Sequence, residues 1–235
     1  LQIRRIGEAA GGFQQAYYIE GTQLWKKGIL KKETDAHRFD DWKKEFSRLE
    51  EEYYRLSEKG ICFITPLDEM YPSRLYSVYD YPMGLYVKGN LPQEDKATAA
   101  VIGARNCTAY GREAANYMAR ELAAAGIQII SGMALGIDGA GHEGALNGGG
   151  MTYAVLGCGV DQCYPRSNYE LYETIPFHGG LISEYALKTP PLPRNFPIRN
   201  RIISGLSDVI LVIEAKEKSG SLITAQSGLE QGKEI

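Results

Sequence analysis

Four glycine- or serine-rich stretches each follow a short apolar run: Gly103-Ala104-Arg105-Asn106, Ser131-Gly132-Met133, Gly157-Cys158-Gly159-Val160-Asp161 and Lys216-Glu217-Lys218-Ser219-Gly220-Ser221. Glycine lets backbone approach a ligand closely, and the first amides of a following helix carry about half a positive charge. That combination suits phosphate. Arg105 adds a planar guanidinium able to grip a phosphate through two bonds, while Lys216 and Lys218 add point charges. The plainer role of any one glycine is a tight strand-to-helix turn, and of Arg105 alone a surface ion pair worth little energy. Four such loops on one sheet edge would form a row of anion contacts.

The segment PPLPRNFPIRNRIISGLS is the most specific in the chain. Between Lys188 and Gly205 stand four cations, Lys188, Arg194, Arg199 and Arg201, and no carboxylate. Prolines stiffen the approach, and Arg199, Asn200 and Arg201 are expected to open a helix. Basic residues around Phe196 suit unpaired nucleotides, whose bases stack while their phosphates need counter-charge. Alternatively, Phe196 staples the start of the helix onto the core.

Other chemistries lack their residues. The first loop continues G-A-R-N-C-T, without the second and third glycines of a dinucleotide fingerprint, and no G-x-x-x-x-G-K-[ST] loop occurs. His142-Glu143 is followed by Gly144-Ala145-Leu146, so there is no H-E-x-x-H zinc pair, and a G-x-S-x-G elbow is absent. Asp138 and His142 would share a helix face and could resemble an acid/base pair. With no nucleophile at a defined spacing, the favoured reading is that Asp138 caps the helix and His142 packs or hydrogen-bonds beside it. No catalytic residue, metal ligand or cofactor is expected.

These loops need a scaffold, and the chain after Thr98 supplies one. AAVIG, IQIIS, TYAVLG, GLISEY and VILVIEA alternate with helical stretches at Gly111 to Ala125, Asp138 to Leu146, Asn168 to Ile175, Arg199 to Leu206 and Leu222 to Gln231. Apolar β-branched runs alternating with helices imply βαβ units and a parallel sheet covered on both faces. The fold class is therefore α/β, Rossmann-like and doubly wound with a mostly parallel sheet, over residues 99–235. Residues 1–58 read as a small helical module, in which Trp42, Phe46, Leu49, Tyr53 and Leu56 recur at three- and four-residue steps and are expected to face a core. Gly60 is the stop signal. Residues 59–98, with ICFITP and GLYVKGN, form a linker or a sheet extension. The chain ends at GKEI directly after a helix, where a further strand is expected.

Composition is that of a globular protein, with 44% hydrophobic and 23% charged residues over 235 positions. The net charge of −3 gives no overall attraction for a polyanion, so a nucleic-acid partner requires a local patch. No apolar stretch is long enough for a membrane span, and LQIRRIGEAAGG lacks the order of a signal peptide, which leads to a cytoplasmic expectation. Cys62, Cys107, Cys158 and Cys163 are spaced too irregularly for a disulfide framework and read as reduced.

The runs VIGARNCTAYG, SGMALGIDGAGHEGAL, VLGCGVDQCYPRSNYEL, SEYALKTPPLPRNFPIRNRIISGLSDVILVIEA and EKSGSLITAQSGLEQGKEI resemble the DNA-processing protein A family, DprA or Smf. YPSRLYSVYDYPMGLYVKGNL resembles that family's lead-in, and the preceding helices its SAM-like or helix-hairpin-helix module, of which the first part is expected to be missing. The resemblance implies a cytosolic bacterial protein that binds incoming single-stranded DNA in natural transformation, protects it, helps load the recombinase RecA and forms homodimers. Carried onto this chain, the DNA pocket uses Arg105, Arg194, Phe196, Arg199, Asn200 and Arg201, with Lys216, Lys218, Ser219, Gly220 and Ser221 close by. Asn106, Ser131 and Gly132 join them from the loops described above. Ala104 stands where the family often has serine, and the family's C-terminal winged-helix-like domain is not expected within these 235 residues. The alternative function is a nucleotide-processing hydrolase of the Rossmann-like phosphoribohydrolase type. Its P-G-G-x-G-T-x-x-E motif has only S-G-S-L-I-T-A-Q-S as a counterpart here.

Overall fold

The computed structural model describes residues 2–217 and 219–235. Lys218, one of the expected phosphate contacts, lies outside the described residues. The chain divides into two compact units, Leu1–Lys59 and Gly60–Ile235.

The first unit contains α1 (Gln2–Ala10), α2 (Phe13–Tyr18), α3 (Gly21–Lys26), α4 (Glu33–Lys44) and α5 (Phe46–Glu58). Ile6, Ala16, Leu24, Ile29, Leu30 and Ala36 form its core. The aromatic stripe does not face it: Trp42, Phe46 and Tyr53 are each about half exposed, and of the five stripe residues only Leu56 is buried. Two features account for the difference. Asp40 accepts hydrogen bonds from Gly21 N–H, fixing the face of α4 that carries Ala36 and Asp40 against α3. Glu45 then leaves the helical conformation, so α4 and α5 do not share one continuous stripe. Gly60, at φ +64°, takes the left-handed conformation that ends α5 and that a side chain would disfavour.

The second unit runs β1 (Ile61–Ile64), β2 (Leu85–Gly89), β3 (Thr98–Ile102), α6 (Ala109–Ala124), β4 (Gln128–Ser131), α7 (Ile137–Asn147) and β5 (Thr152–Val155), then α8 (Tyr169–Thr174), β6 (Gly179–Ser183), α9 (Asn195–Leu206), β7 (Val209–Val212) and α10 (Gly220–Glu230). Among the described residues these strands form one sheet in the order β1-β2-β6-β5-β4-β3-β7. β6, β5, β4, β3 and β7 are mutually parallel, whereas β1 and β2 extend the sheet in antiparallel pairing. The segment before residue 98 is therefore part of the sheet rather than a spacer.

Strands β3 to β6 are buried along their whole length, as expected of a sheet covered on both faces. Their side chains divide by alternation. Ala99, Val101 and Ile129 pack with Ala115, Ala119 and Ala140 of α6 and α7, while Ala100, Ile102 and Ile130 pack with Ile202, Ile203 and Leu206 of α9. Small residues also bring helices close: a Cβ on Gly144 would lie 2.9 Å from Asn116 Cα of α6.

One boundary differs from the sequence expectation in a way that matters for function. α9 opens at Asn195, not at Arg199. Pro197 falls in its first turn, where backbone N–H groups have no helical partner and proline costs little. Arg199 and Asn200 therefore sit inside the helix and are buried.

Candidate nucleic-acid interface

At the carboxyl ends of the parallel strands a cavity of about 450 Å³ is lined by Arg105 and Asn106 after β3, by Asp138 of α7, by Phe196, Arg199 and Asn200 of α9, and by Lys216, Ser219, Gly220 and Ser221 at the start of α10. Arg105, Asn106, Lys216 and Gly220 are solvent-exposed. The Arg105 guanidinium lies over the Phe196 ring, 5.3 Å from its centre, and Arg199 lies 5.8 Å from it. Such cation–π contacts hold a guanidinium in place while leaving its N–H groups available. Phe196 itself is half-buried, with Tyr164 at 5.6 Å and the Gly157 backbone so close that a Cβ there would lie 2.8 Å from the ring. It anchors the first turn of α9 and at the same time forms a wall of the cavity.

The helix ends along this edge differ in what meets their amides. At α6, Thr108 is the N-cap and its Oγ1 accepts from Gly111 N–H at 3.0 Å. Glu214, which follows β7, accepts from Thr108 N–H at 2.9 Å and from Thr108 Oγ1 at 2.9 Å. At α7, Asp138 Oδ2 accepts from Gly132 N–H at 3.1 Å and Ala134 N–H at 3.4 Å. Asp138 is thus not the N-cap, a place held by Gly136. It stands in the first turn and ties the preceding loop back. Both helix ends are already complemented by carboxylates of the chain. At α10 the cap is the Ser219 hydroxyl, which accepts from Ser221 N–H at 3.3 Å and lies 2.6 Å from Ser221 Oγ. Asn200 Nδ2 donates to Gly220 O at 3.2 Å and so fixes this turn to α9.

Arg199 is 3% exposed. It donates through Nη1 to Gly132 O at 3.0 Å and to Val155 O, and through Nε to Asn200 Oδ1 at 3.2 Å. Burial pulls its pKa down to about 10, with Asp138 acting against the shift. Burial likewise raises the pKa of Asp138, opposed by Arg199 and by the facing amides. His142 is fully enclosed, its Nδ1 2.7 Å from Thr152 Oγ1, and burial followed by repulsion from Arg199 pushes its pKa down to about 3. Asp138 and His142 thus bond to different partners rather than to each other.

The remaining expected contacts lie elsewhere. Ser131 is buried and donates to Val101 O at 2.6 Å. Gly132 is enclosed between Asp138 and Arg199. Arg201 donates to both Glu184 oxygens at 2.8 and 2.9 Å and to Asp80 O at 2.8 Å, bracing α9 against the loops before β2 and after β6. Arg194 is exposed at the N-cap of α9 but does not line the cavity. The Gly157 to Asp161 loop is tied internally, with Gly159 N–H donating to Thr189 O and Asp161 Oδ1 accepting from Lys188 N–H. Glu214 goes unremarked in the sequence, although it stands in the same β7 loop as Lys216, and Asp138 is weighed there only as a helix cap or an acid/base partner, although an acidic residue in a first helical turn also signals a carboxylate that meets the loop amides. Among the described residues no group of three or more His, Cys, Asp or Glu side chains could hold a metal ion.

A profile of the family described as "DNA recombination-mediator protein A" matches residues 62–235. The chain belongs to that family. This member is 42% identical over 179 residues to "DNA processing protein DprA" of Bacillus subtilis (strain 168), an alignment covering 76% of this chain and 60% of the relative. It is 43% identical over 187 residues to "Protein Smf" of Escherichia coli (strain K12), covering 76% of this chain and 50% of the relative. The chain thus spans about half to three fifths of these relatives. In three dimensions the family member superposes on the X-ray structure of DNA processing protein A from Streptococcus pneumoniae with a TM-score of 0.84 at 33% identity, covering 99% of this chain and 79% of that one. DNA processing protein A from Helicobacter pylori, whose structure is described in terms of a single-stranded DNA binding mode, aligns with a TM-score of 0.66 at 34% identity, over 73% of this chain and 78% of that one.

Proposed function

We propose that this chain binds single-stranded DNA without catalysing a reaction on it. The phosphates would follow Arg105, Lys216 and the amino end of α10, at the carboxyl edge of the sheet. The observation that carries this reading is the Arg105 guanidinium stacked on Phe196 at the rim of a cavity that also contains Lys216 and the Ser219 to Ser221 turn. A guanidinium, an ammonium, helix-end amides and an aromatic ring are the groups that a flexible polyanion with stacking bases needs. The Helicobacter pylori relative, described as binding single-stranded DNA, supports the same reading. The family description supports a role as a recombination mediator. Family likeness extends the proposal to a cytoplasmic protein of natural transformation that protects incoming strands, helps load RecA and acts as a homodimer. Among the described residues no helix is long and apolar enough to cross a membrane.

The hydrolase alternative has less behind it. The acidic group in the cavity, Asp138, is committed to Gly132 and Ala134 N–H, and His142 is enclosed away from it.

A salt titration of oligo-dT binding tests the proposal. The log–log slope should be about 0.7 for each phosphate neutralised. A flat titration would rule out phosphate-led binding, and release of ribose 5-phosphate from a nucleoside monophosphate would establish the hydrolase instead.

A further inference from the structure

The first unit distributes its charge unevenly. Residues 1–32 hold six cations, Arg4, Arg5, Lys26, Lys27, Lys31 and Lys32, against two carboxylates, whereas residues 33–59 hold six cations against nine carboxylates. Four of the first six lie within seven residues, KKGILKK, at the turn from α3 to α4. Gly28, at φ +70°, reverses the chain there, its N–H donating to Trp25 O at 2.8 Å while Ile29 N–H donates to Leu24 O at 3.0 Å. Ile29 and Leu30 turn inward and join the core of the unit. Lys26, Lys27, Lys31 and Lys32 are left exposed on either side of that buried pair. Arg5 of α1, also exposed, joins them by donating through Nη2 to Gly28 O at 3.3 Å.

The carboxylates of the unit are engaged elsewhere. Asp40, Asp41, Glu45, Glu51 and Glu52 pair with Lys43, Lys44, Arg48 and Arg55 along α4 and α5. Glu33 and Asp35 stand in the first turn of α4, where they complement its free amides. Among the described residues no side-chain hydrogen bond or ion pair falls to any of the four lysines of the turn. Like charges so placed repel one another, and an external anion relieves that repulsion.

The turn also says which anion. Ammonium groups on flexible stems are point charges, without the planar fork that fits one carboxylate or phosphate in a fixed pose. From Ile19 to Asp41 no large hydrophobic side chain is exposed, so the turn lacks the apolar anchor that a protein partner or a membrane surface would use. A polymer with a phosphate at every step satisfies flexible point charges in many registers, and its binding gains from released counterions.

We propose that Lys26, Lys27, Lys31 and Lys32, assisted by Arg5, form a phosphate-backbone contact on the first unit, indifferent to base and to strandedness. This rests on the nucleic-acid reading and adds a site to it. The cavity beside Phe196 suits unpaired nucleotides, whereas the turn needs only phosphates, from a single strand or a duplex.

The test uses the whole chain with oligo-dT and with a duplex of the same length. One variant combines Lys26→Gln, Lys27→Gln, Lys31→Gln and Lys32→Gln. A second, of equal net charge, combines Lys44→Gln, Arg55→Gln, Lys59→Gln and Lys96→Gln, all at exposed positions away from the turn. In the turn variant the log–log salt slope should fall by about 0.7 for each lysine that meets a phosphate of the single strand, and by about 0.9 on the duplex. The second variant should change either slope far less. An unchanged slope in the turn variant overturns the proposal, and so does an equal fall in both variants, which would make overall charge the cause. A fall on oligo-dT with none on the duplex overturns the indifference to strandedness. Loss of phosphatidylserine-vesicle binding in the turn variant, with its DNA slopes intact, would assign the lysines to a membrane instead. Circular dichroism checks folding, and if the fourfold variant does not fold, Lys26→Gln with Lys27→Gln decides by a fall of about half the size. A salt-independent affinity in the unaltered protein would sink the nucleic-acid reading itself, whereas a salt-dependent one that the turn variant keeps sinks only this proposal.

Discussion

The amino ends of α6 and α7 and that of α10 stand on the same edge of one sheet, follow similar glycine- or serine-rich loops, and differ in what satisfies them. Glu214 seals α6 and Asp138 braces α7, so both ends have their counter-charge built in. α10 is capped by a serine hydroxyl and lies beside exposed Lys216 and Arg105. A glycine-rich turn is therefore not evidence of an anion site by itself. What matters is whether the chain supplies its own carboxylate first, since an internal one is always present and an external phosphate must compete with it.

This contrast can be broken or sharpened by substitution. The largest effect is expected at α7. Asp138→Ala removes the counter-charge of buried Arg199 and leaves the Gly132 and Ala134 N–H groups without their acceptor, which should cost about 3 kcal/mol in urea unfolding. A loss below the error of the measurement would mean that the carboxylate is not structural. Next, Arg105→Ala should leave stability nearly unchanged and weaken oligo-dT binding by about 2 kcal/mol, with the salt slope falling by about 0.7. Unaltered affinity and slope would remove Arg105 from the phosphate path.

A smaller effect concerns acid. The folded pKa of His142, about 3, lies below the ordinary value of 6.5, so the unfolded chain takes up the proton first as pH falls. The stabilising effect of keeping His142 neutral is complete above pH 6.5 and falls by up to about 1.4 kcal/mol over the first pH unit below it. Asp138, whose folded pKa is raised, contributes in the opposite direction and reduces the net slope. Urea midpoints at neutral and mildly acid pH should show this loss in the natural chain and a shallower one in His142→Gln; identical slopes would remove His142 as the cause. The smallest effect is expected at α6, where Glu214→Gln weakens the cap by about 1 kcal/mol and leaves oligo-dT affinity as it was. Tighter DNA binding in that variant would show that the α6 end does compete for phosphate.

Much of the architecture was legible because its signals are local. The alternation of apolar β-branched runs with helical stretches yields the parallel strands and their crossovers, and Gly60 marks the end of α5. The start of α9 was harder to place: Pro197 reads as a boundary, yet it occupies a first turn that tolerates it. The Trp42 to Leu56 stripe misled because periodicity reports which residues share a helix face, not whether anything covers that face. The Asp40 bond to Gly21 made that choice for α4, and it depends on a contact between residues far apart in sequence.

For the candidate site the division follows the same physics. Residue types and spacing were enough to nominate Arg105, Phe196, Arg199, Lys216 and the Ser219 to Ser221 turn, and the family resemblance added Asn200; the fold gathers all of them around one cavity. They could not separate Arg105, exposed over a ring, from Arg201, held by Glu184, or from Arg199, buried beside Asp138. The chain by itself determined which charges exist and which loops carry them. Only the tertiary structure decided which charges are neutralised internally and which face solvent, because electrostatic pairing depends on distance in space and on burial, and neither is written in the spacing of residues along the chain.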